Sequence, residues 1–440
     1  MKKIKSQIEL KNKISGRSAV VGIIGLGYVG LPLAVEIGNS GLGVIGFDID
    51  PRKCKTINSG KSDIDDVPDE EIRKLIKAKK LDATTNFSQL KKTDCIIICV
   101  PTPLNKTKDP DVSYILDAVE QVRKNLRKGQ LVVLESTTYP GTTEELIRPK
   151  LESTGLEVGK DFFLVYSPER VDPGNPVYKV KNTPKIVGGT TSACTEIGKH
   201  FYQQFIEEVH PVSSSRAAEM VKLLENTFRS VNIGLVNEVA LMCDRLGLDV
   251  WEIIKLSATK PFGFMPFYPG PGLGGHCIPI DPHYLSWKLK SLNYYARFIE
   301  LAGDINSHMP EYVVERVNRL LNTSGKSIKG SKILVLGVAY KRDIKDIRES
   351  PALDVIKLLA NRGAKVLYND PYVRSLKMDD LNQNSVKLTS ELLKNCDCSV
   401  ILTDHSGYNY RWIVEKSKLV LDTRNATQEI KNPGKKVSRL

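Results

Sequence analysis

The amino-acid sequence predicts an α/β protein in which two doubly wound parallel-sheet domains are joined by a long central helix. Short apolar runs alternate with helical patterns from Val20 to about Val212, and the same rhythm returns after residue 322. These runs are continuously apolar, which is typical of parallel strands covered on both faces. Between the two regions, a helical pattern runs from Ser215 to Leu246 and ends at Gly247. At 440 residues the chain is also too long for a single core.

The alternation of apolar runs and helical patterns predicts the individual elements and divides the chain into three parts. Residues 1–212 form an N-terminal doubly wound domain, residues 213–322 a central helical region, and residues 323–440 a second, smaller α/β domain. Strands are predicted at 20–24, 44–48, 95–100, 131–136 and 162–167, and then at 332–340, 365–370, 399–404 and 418–423. In the last domain, Ser350 is a predicted N-cap, Pro351 the first helical residue and Gly363 the end of that helix. The central helix should bury its apolar residues.

Composition and charge narrow the functional class. The hydrophobic fraction of 41% and charged fraction of 26% are ordinary for a globular protein, and the net charge of +13 suits an anionic partner. That partner could be a nucleic acid or a phosphorylated small molecule. We expect no nucleic-acid partner, because the sequence has no RNP, zinc-finger or clear helix-turn-helix signature. A basic nucleic-acid-binding protein remains the alternative from another class.

The cysteines and the apolar runs bear on the compartment. None of the eight cysteines has CxxC spacing, which argues against a disulfide scaffold or a structural zinc site. The uncharged run Ala19–Val35 follows a basic segment, as in a signal peptide, but glycines interrupt it and no A-x-A-like site follows. We therefore expect a cytoplasmic protein with no membrane partner and no bound metal.

A glycine-rich turn predicts a dinucleotide site. Gly25-Leu26-Gly27-Tyr28-Val29-Gly30 directly follows a predicted strand and opens a helix. Gly25 permits the tight turn, Gly27 lets a pyrophosphate approach the backbone, and Gly30 permits close packing of helix on strand. The N-terminus of the helix adds free N–H groups and a favourable dipole. The pattern is that of a Rossmann-like domain.

An acidic residue at the end of the next strand supports the same prediction. Asp48 lies 18 residues after Gly30, where such sites bind the ribose 2′-hydroxyl. A carboxylate there favours NAD over NADP, although Arg52 and Lys53 could tolerate a 2′-phosphate.

Two further groups of residues could carry chemistry. Cys277 lies in the glycine- and proline-rich segment 260–282, with Asp281 four residues later, which suggests a nucleophile beside an acid–base group. A zinc site made with His276 and His283 lacks a recognised spacing. Lys222 and Asn226 share one face of the central helix, where a solvated polar stripe is an equally good interpretation.

Seven motifs, in order along the chain, resemble the UDP-glucose/GDP-mannose dehydrogenase family from end to end. They are GLGYVG, VPTP (100–103), ESTTYPGTT (135–143), SPER (167–170), KLLENT (222–227), GLGGHCIPIDP (272–282) and AYKRDIKDIRESPA (339–352). The resemblance implies an oxidoreductase that oxidises a sugar nucleotide twice at C6, to the uronic acid, with two NAD per turnover. It also implies two Rossmann-like domains and a homodimer formed through the central helix.

The resemblance implies roles for particular residues. Cys277 is the nucleophile that forms a thiohemiacetal and then a thioester, and Asp281 assists the movement of water and protons. Lys222 and Asn226 stabilise the oxyanion and hold the sugar, as negative charge on O6 requires. The remaining assigned residues are Thr137 and Glu169 for NAD and thioester hydrolysis, Tyr28, Val29, Lys53, Thr102 and Arg348 for NAD, and Glu169, Arg170, Tyr268, Gly272, Tyr340, Lys341 and Arg424 for the UDP-sugar.

One departure from the UDP-glucose branch indicates the substrate. That branch has Phe-Pro-Lys-Asp after the cysteine, whereas this chain has Ile278-Pro279-Ile280-Asp281, so thiolate activation must come from elsewhere. The segment 264–288 and the PERV sequence at 168–171 resemble the N-acetylated branch that serves surface polysaccharide pathways. We predict UDP-N-acetylglucosamine as substrate, with UDP-N-acetylmannosamine as the alternative.

Overall fold

The computed structural model describes residues 5–440 apart from 65, 106–108, 173, 379–380 and 432–433. The chain divides into two compact units. The first unit comprises Met1–Glu225 and His283–Asn293, and the second comprises Asn226–Pro282 and Tyr294–Leu440. The α/β class with two parallel sheets and a long helix is confirmed. The division into three parts at 212 and 322 stays a prediction.

The first unit is built on a mostly parallel sheet. Its strands are β1 (Val20–Ile24), β2 (Gly43–Phe47), β3 (Leu81–Thr84), β4 (Cys95–Ile98), β5 (Leu131–Leu134), β6 (Phe163–Tyr166), β7 (Lys185–Gly189) and β8 (Val209–Pro211). They lie in the order β3-β2-β1-β4-β5-β6-β7-β8, and all neighbours are parallel except β6 and β7. Its helices are α1 (Lys5–Ser15), α2 (Gly30–Asn39), α3 (Pro51–Asn58), α4 (Asp69–Lys77), α5 (Ser113–Asn125), α6 (Arg148–Glu152) and α7 (Ser192–Tyr202).

The five predicted strands of this unit are confirmed as β1, β2, β4, β5 and β6. Every residue of β4, β5 and β6 is buried, as continuous apolar runs require. Three strands were not predicted. At the edge of the sheet, β3 reads Leu-Asp-Ala-Thr with alternating burial, and β8 at the other edge is three residues long and largely exposed. These two strands are short and partly exposed and carry too few apolar residues to be recognised. The third, β7, is buried, but its sequence Lys-Ile-Val-Gly-Gly has only two large apolar residues.

The second unit contains a five-stranded parallel sheet and a small hairpin. Its strands are β9 (Lys332–Leu336), β10 (Lys365–Asn369), β11 (Ser375–Met378), β12 (Leu381–Asn384), β13 (Cys398–Ile401), β14 (Val420–Asp422) and β15 (Val437–Arg439). The sheet order is β10-β9-β13-β14-β15, and β11 pairs with β12 antiparallel. The helices that complete the chain are α8 (Ser215–Leu246), α9 (Val250–Ser257), α10 (Asp281–Lys290), α11 (Arg297–Asn322), α12 (Pro351–Asn361), α13 (Ser390–Asn395) and α14 (Tyr410–Lys416).

For the second unit, one predicted boundary is wrong, and the predicted helix start at Ser350 and Pro351 is confirmed. The predicted strand 332–340 ends at Leu336, because Gly337 turns the chain with a φ of +81°. Ser350 does occupy the N-cap position before Pro351, but its side chain makes no capping hydrogen bond. The Ser350 hydroxyl is instead buried without a hydrogen-bond partner. Strands β11, β12 and β15 were not predicted.

The central helix α8 has the predicted bounds, but its faces differ from the expectation. Lys222 and Asn226 are 8% and 6% exposed, so the solvated-stripe interpretation is wrong for both. The expectation that the helix buries its apolar residues is also wrong in part, because Met220, Leu224 and Phe228 are exposed. Within this chain, α8 therefore buries its polar stripe and leaves an apolar stripe uncovered.

None of the helices in the described part of the chain combines the length and the hydropathy that crossing a lipid bilayer requires.

Candidate active site

The glycine turn of the first unit leaves open space where a ligand could approach. Gly25 follows β1 with a φ of +94°, and a Cβ there would lie 2.5 Å from the carbonyl oxygen of Cys99. A Cβ on Gly30 would lie 1.8 Å from the carbonyl oxygen of Gly25, so α2 can begin this close to β1 only with glycine. A Cβ on Gly27 would meet nothing within 4 Å. Gly25 and Gly30 therefore serve packing, while Gly27 faces free space, as pyrophosphate binding requires.

Asp48 is fixed beside this turn. One carboxylate oxygen accepts a hydrogen bond from the Leu26 N–H at 3.0 Å, and the other accepts from the Asp50 N–H at 3.0 Å. The Lys53 ammonium lies 3.4 Å from the Asp48 carboxylate, and Arg52 pairs with Asp50. Both cations that could have favoured a 2′-phosphate are thus paired with carboxylates.

The predicted cofactor residues follow neighbouring strands of one sheet. In the order β2-β1-β4-β5, Asp48 follows β2, the glycine turn follows β1, Thr102 follows β4 and Thr137 follows β5. The Ser136 hydroxyl donates to the carbonyl oxygen of Val100 at 2.8 Å and joins the last two loops. The chain runs outward in opposite directions from β1 and β4, and open α/β sheets bind ligands at such a switch point. Tyr28 and Val29, within the turn, are partly buried.

A buried charged cluster lies in the first unit and was not predicted. The Lys185 ammonium is 3.0 Å from a carboxylate oxygen of Glu135 and 3.2 Å from one of Glu169. The Tyr202 hydroxyl donates to the other oxygen of Glu135. The Glu135 side chain is fully buried and that of Lys185 is 7% exposed. One ammonium therefore bridges two carboxylates, as buried charges require.

The two carboxyl groups of the cluster differ in acidity. Burial raises the pKa of Glu135 to about 7, against the opposing effect of Lys185. Burial also acts on Glu169, but Lys185 and a hydrogen bond from the Val171 N–H outweigh it, so its pKa lies below the ordinary value. At neutral pH, Glu169 is thus the charged member of the pair, and Glu135 is poised to titrate.

Lys222 on α8 joins this cluster through the backbone. Its ammonium donates to the carbonyl oxygen of Glu169 at 2.7 Å. Arg170, the residue after Glu169, donates to the carbonyl oxygen of Pro184 at 2.7 Å and forms an ion pair with Glu225. The structure therefore brings Lys222, Glu169 and Arg170 together, with the Arg170 guanidinium engaged by a carboxylate.

Glu219, one turn before Lys222, holds the loop that follows Thr137. Its carboxylate accepts hydrogen bonds from the Gly141 N–H at 2.6 Å, the Thr143 N–H at 2.9 Å and the Thr143 hydroxyl at 2.6 Å. Sequence reasoning missed this residue, although its spacing of three from Lys222 places both on one helix face.

In the second unit, Cys277 lies at the start of a turn that leads into α10. Its carbonyl oxygen accepts hydrogen bonds from the N–H groups of Ile280 at 3.1 Å and Asp281 at 2.8 Å. The Asn226 amide donates to the Asp281 carboxylate at 2.5 Å. Cys277 is partly exposed, whereas the other seven cysteines are buried. The structure thus brings together Asn226 and Asp281, and the same turn carries Cys277.

The glycines before Cys277 pack against residues assigned to the UDP-sugar. A Cβ on Gly270 would lie 2.6 Å from a guanidinium nitrogen of Arg424, and a Cβ on Gly274 would lie 2.6 Å from the Cβ of Tyr340. The Gly275 N–H donates to the carbonyl oxygen of Arg348 at 3.0 Å. Arg424 and Tyr340 therefore lie directly on the backbone of this loop.

The side chains of three other assigned residues of the second unit differ in exposure and partners. The Arg348 side chain bonds to Asp346, and Lys341 is partly buried. Tyr268 is 57% exposed, and its ring stacks on Trp251 with centroids 6.1 Å apart. Within the described part of the chain, no three His, Cys, Asp or Glu side chains are placed to hold a metal ion.

The unpredicted residues of the buried cluster in the first unit were missed because they are far apart in the sequence. Glu135 and Lys185 are 50 positions apart and meet only because β5, β6 and β7 are neighbours in the sheet. The available signal was local: Glu135 is a charged residue directly after a buried strand. A buried charged residue needs a hydrogen-bonding or oppositely charged partner, but the sequence does not indicate which residue that partner is.

The glycine turn, the acidic residue at the strand end and the switch point are together typical of a dinucleotide-binding domain, as found in NAD-dependent oxidoreductases. Comparison with known proteins extends this conclusion. The family models of the UDP-glucose/GDP-mannose dehydrogenases match the chain in three pieces. They are the NAD binding domain at residues 19–206, the central domain at 216–308 and the UDP binding domain at 334–429. The chain belongs to the UDP-glucose/GDP-mannose dehydrogenase family, and it is an NAD-dependent UDP-sugar dehydrogenase.

Individual relatives act on two different sugars. The chain is 38% identical to a UDP-N-acetyl-D-glucosamine 6-dehydrogenase of Pseudomonas aeruginosa, over 80% of this chain and 83% of the relative. It is 36% identical to a UDP-N-acetyl-D-mannosamine dehydrogenase of Methanococcus maripaludis, over 92% of each. The solved UDP-D-ManNAc dehydrogenase of Pyrococcus horikoshii superposes with a TM-score of 0.85 and 35% identity, covering 93% of this chain and 96% of that one.

Proposed function

We propose that this enzyme oxidises UDP-N-acetylglucosamine at C6 to UDP-N-acetylglucosaminuronic acid, with two NAD per turnover, for surface polysaccharide synthesis in the cytoplasm. The observation that carries the choice of sugar is the segment 264–288 around Cys277, where Ile-Pro-Ile-Asp replaces the Phe-Pro-Lys-Asp of the UDP-glucose branch. The relative from Pseudomonas aeruginosa, a UDP-N-acetyl-D-glucosamine 6-dehydrogenase, supports the same choice.

The residues at the sheet edge of the first unit fit NAD. The open space at Gly27 would receive the pyrophosphate, the Asp48 carboxylate would accept hydrogen bonds from the ribose, and Thr102 and Thr137 would flank the cofactor. Bound NAD supplies the hydride acceptor for both oxidation steps. The protein contributes the orientation of C6 and the electrostatics around it.

Lys222 is proposed to stabilise negative charge on O6. Loss of hydride from C6 requires loss of the O6 proton, and an ammonium nearby favours the resulting alkoxide. Lys222 is 8% exposed, so its charge is poorly screened by water. Its hydrogen bond to the carbonyl oxygen of Glu169 fixes its direction.

Cys277 is proposed to carry the second oxidation. Its sulfur adds to C6 of the aldehyde to give a thiohemiacetal, and loss of hydride from C6 then leaves a thioester. Water attacks the thioester carbonyl, the C–S bond breaks, and the products are the uronic acid and the free thiol. Asp281, oriented by Asn226, would accept a proton, and Glu169 would assist the water.

UDP-N-acetylmannosamine is the second candidate substrate. It is favoured by the Methanococcus maripaludis relative and by the Pyrococcus horikoshii structure, whose names specify that sugar. The test is kcat/KM for NADH formation with UDP-N-acetylglucosamine, UDP-N-acetylmannosamine and UDP-glucose. The proposal expects the highest value with UDP-N-acetylglucosamine. A higher value with the manno epimer would replace the proposed substrate with the second candidate.

We also propose that the enzyme is a homodimer formed on α8. Phe228, Leu235 and Met242 recur at intervals of seven residues along α8, and all three are exposed. Phe298 and Leu301 of α11 are exposed as well. Exposed apolar side chains that recur along one helix face are typical of an interaction surface. Sedimentation equilibrium should give twice the chain mass, and Leu235→Lys should shift the protein towards monomer.

A further inference from the structure

Two buried asparagines of the second unit form a hydrogen-bonded pair that the proposed mechanism does not use. Asn237 of α8 is fully buried and Asn306 of α11 is 4% exposed. The Asn237 amide donates to the Asn306 side-chain oxygen at 2.8 Å, and the Asn306 amide donates to the carbonyl oxygen of Ser230 at 3.1 Å. The remaining Asn237 oxygen accepts a hydrogen bond from the Gly270 N–H at 3.0 Å.

Small residues bring the two helices close enough for this pair to form. A Cβ on Gly234, three residues before Asn237, would lie 3.2 Å from the Cα of Ala302. Ala302 lies four residues before Asn306, so each asparagine is one helical turn beyond the point of close approach. Both amides therefore lie one turn beyond a close helix contact, and both are buried.

The polar pair is more than a means of packing two helices. Replacing both partners of a buried hydrogen bond by apolar groups of similar shape is often nearly neutral for stability, so helix packing alone does not require amides. What an amide adds here is an acceptor for the Gly270 N–H. Gly270 belongs to the irregular segment between α9 and α10 and precedes Cys277 by seven residues.

The loop is thus held at two points before the thiol. Asn237 holds the Gly270 N–H, and the carbonyl oxygen of Arg348 holds the Gly275 N–H at 3.0 Å. We propose that Asn237 and Asn306 are positioning residues for the oxidation: their amide pair fixes the backbone at Gly270 and thereby the placement of Cys277. This inference rests on the proposed function of Cys277.

The test compares Asn237→Ala with the unmutated enzyme in two measurements. Hydrogen exchange at the Gly270 amide should accelerate about tenfold, because loss of one hydrogen bond typically changes the opening equilibrium by about a factor of ten. With UDP-N-acetylglucosamine, kcat should fall about 10- to 100-fold, since small misplacement of a reacting group has this effect. KM for NAD should not change, because the glycine turn belongs to the other unit.

Two further variants separate positioning from stability. Val236→Ala removes a buried side chain adjacent to Asn237 and should lower the melting temperature while leaving kcat and Gly270 exchange unchanged. Asn306→Ala removes the hydrogen-bond partner of the Asn237 amide but keeps Asn237 itself. We therefore expect kcat to fall less than in Asn237→Ala. If Asn237→Ala does not fold, the kcat and the Gly270 exchange rate of Asn306→Ala test the positioning role.

Two results would overturn the inference. One is faster exchange at Gly270 with unchanged kcat, because the amide pair would then hold the loop without affecting the reaction. The other is unchanged exchange at Gly270. Failure of the proposed role of Cys277 looks different: Cys277→Ala would still form the uronic acid at a near-unmutated rate, and the positioning role of the asparagines would fall with it.

Discussion

Lys222 shows how one residue changes meaning between the sequence and the folded chain. In the sequence it belongs to a polar stripe that a solvated helix face explains equally well. In the structure it is buried and donates to the carbonyl oxygen of Glu169, a residue 53 positions away in the sequence. The carbonyl oxygen is a hydrogen-bond partner for the buried ammonium, as a buried polar group requires. This placement makes Lys222 a candidate oxyanion donor.

Lys222→Ala should lower kcat about 100- to 1,000-fold, as loss of one preorganised oxyanion donor typically does. Lys222→Arg should restore little, because a planar guanidinium cannot take the place of a compact ammonium. Steady-state kinetics and a melting curve measure both variants. An unchanged kcat in a folded Lys222→Ala protein would reduce Lys222 to a structural residue.

Glu219 predicts a pH dependence of stability. Burial raises the pKa of Glu219 to about 7, although hydrogen bonds from Thr143 and Gly141 lower it. An unfolded glutamate titrates near pH 4.3, so the folded protein binds more protons between about pH 4 and 7. Its contribution to stability is fully present below this window and is lost as the pH rises through it. The neighbouring Glu144 carboxylate acts in the same direction.

The measurement is the free energy of unfolding by urea at a series of pH values. Relative to Glu219→Gln, which does not titrate, the unmutated enzyme should lose up to about 3 kcal/mol between pH 4.5 and 7, and the difference should then level off. A difference that is constant across this range would show that the Glu219 pKa is not raised.

At the scale of elements, the β1–α2 turn assigns two glycines to different tasks. Gly30→Ala places a methyl group 1.8 Å from the carbonyl oxygen of Gly25, so the turn must open and the melting temperature should fall by several degrees. Gly27→Ala places its methyl group in open space, so the melting temperature should hold while KM for NAD rises. Thermal melts and NAD titrations test the pair. Equal loss of stability in both variants would contradict the assignment of Gly27 to the cofactor.

The same turn illustrates which elements can be predicted from sequence. The dinucleotide turn can be predicted because its apolar run, its three glycines and the carboxylate 18 residues later lie at fixed spacings in the sequence. Helix α8 can be predicted from its helical period and from the glycine that ends it. The edge strands β3 and β8 were missed because they are short and half-exposed. The Glu135–Lys185–Glu169 cluster and the Asn237–Asn306 pair were missed because their members meet only after the strands or helices have packed.

At the scale of the whole molecule, each unit contributes a distinct chemical task to the proposed reaction. The first unit carries the glycine turn and Asp48 at the switch point of its sheet, together with Lys222 and Glu169. The second carries Cys277 in a loop packed against Tyr340 and Arg424. In the proposed reaction, removal of four electrons from one carbon depends on the Cys277 thiol, because the thiol keeps the aldehyde bound for a second oxidation.

The most direct test is the number of NADH molecules formed per UDP-N-acetylglucosamine consumed, with the product mass determined in the same reaction. The unmutated enzyme should form two NADH and the uronic acid, and Cys277→Ala should form no uronic acid, because no thioester can form. One NADH per sugar in the unmutated enzyme, or formation of the acid by Cys277→Ala at a near-unmutated rate, would contradict the proposed reaction.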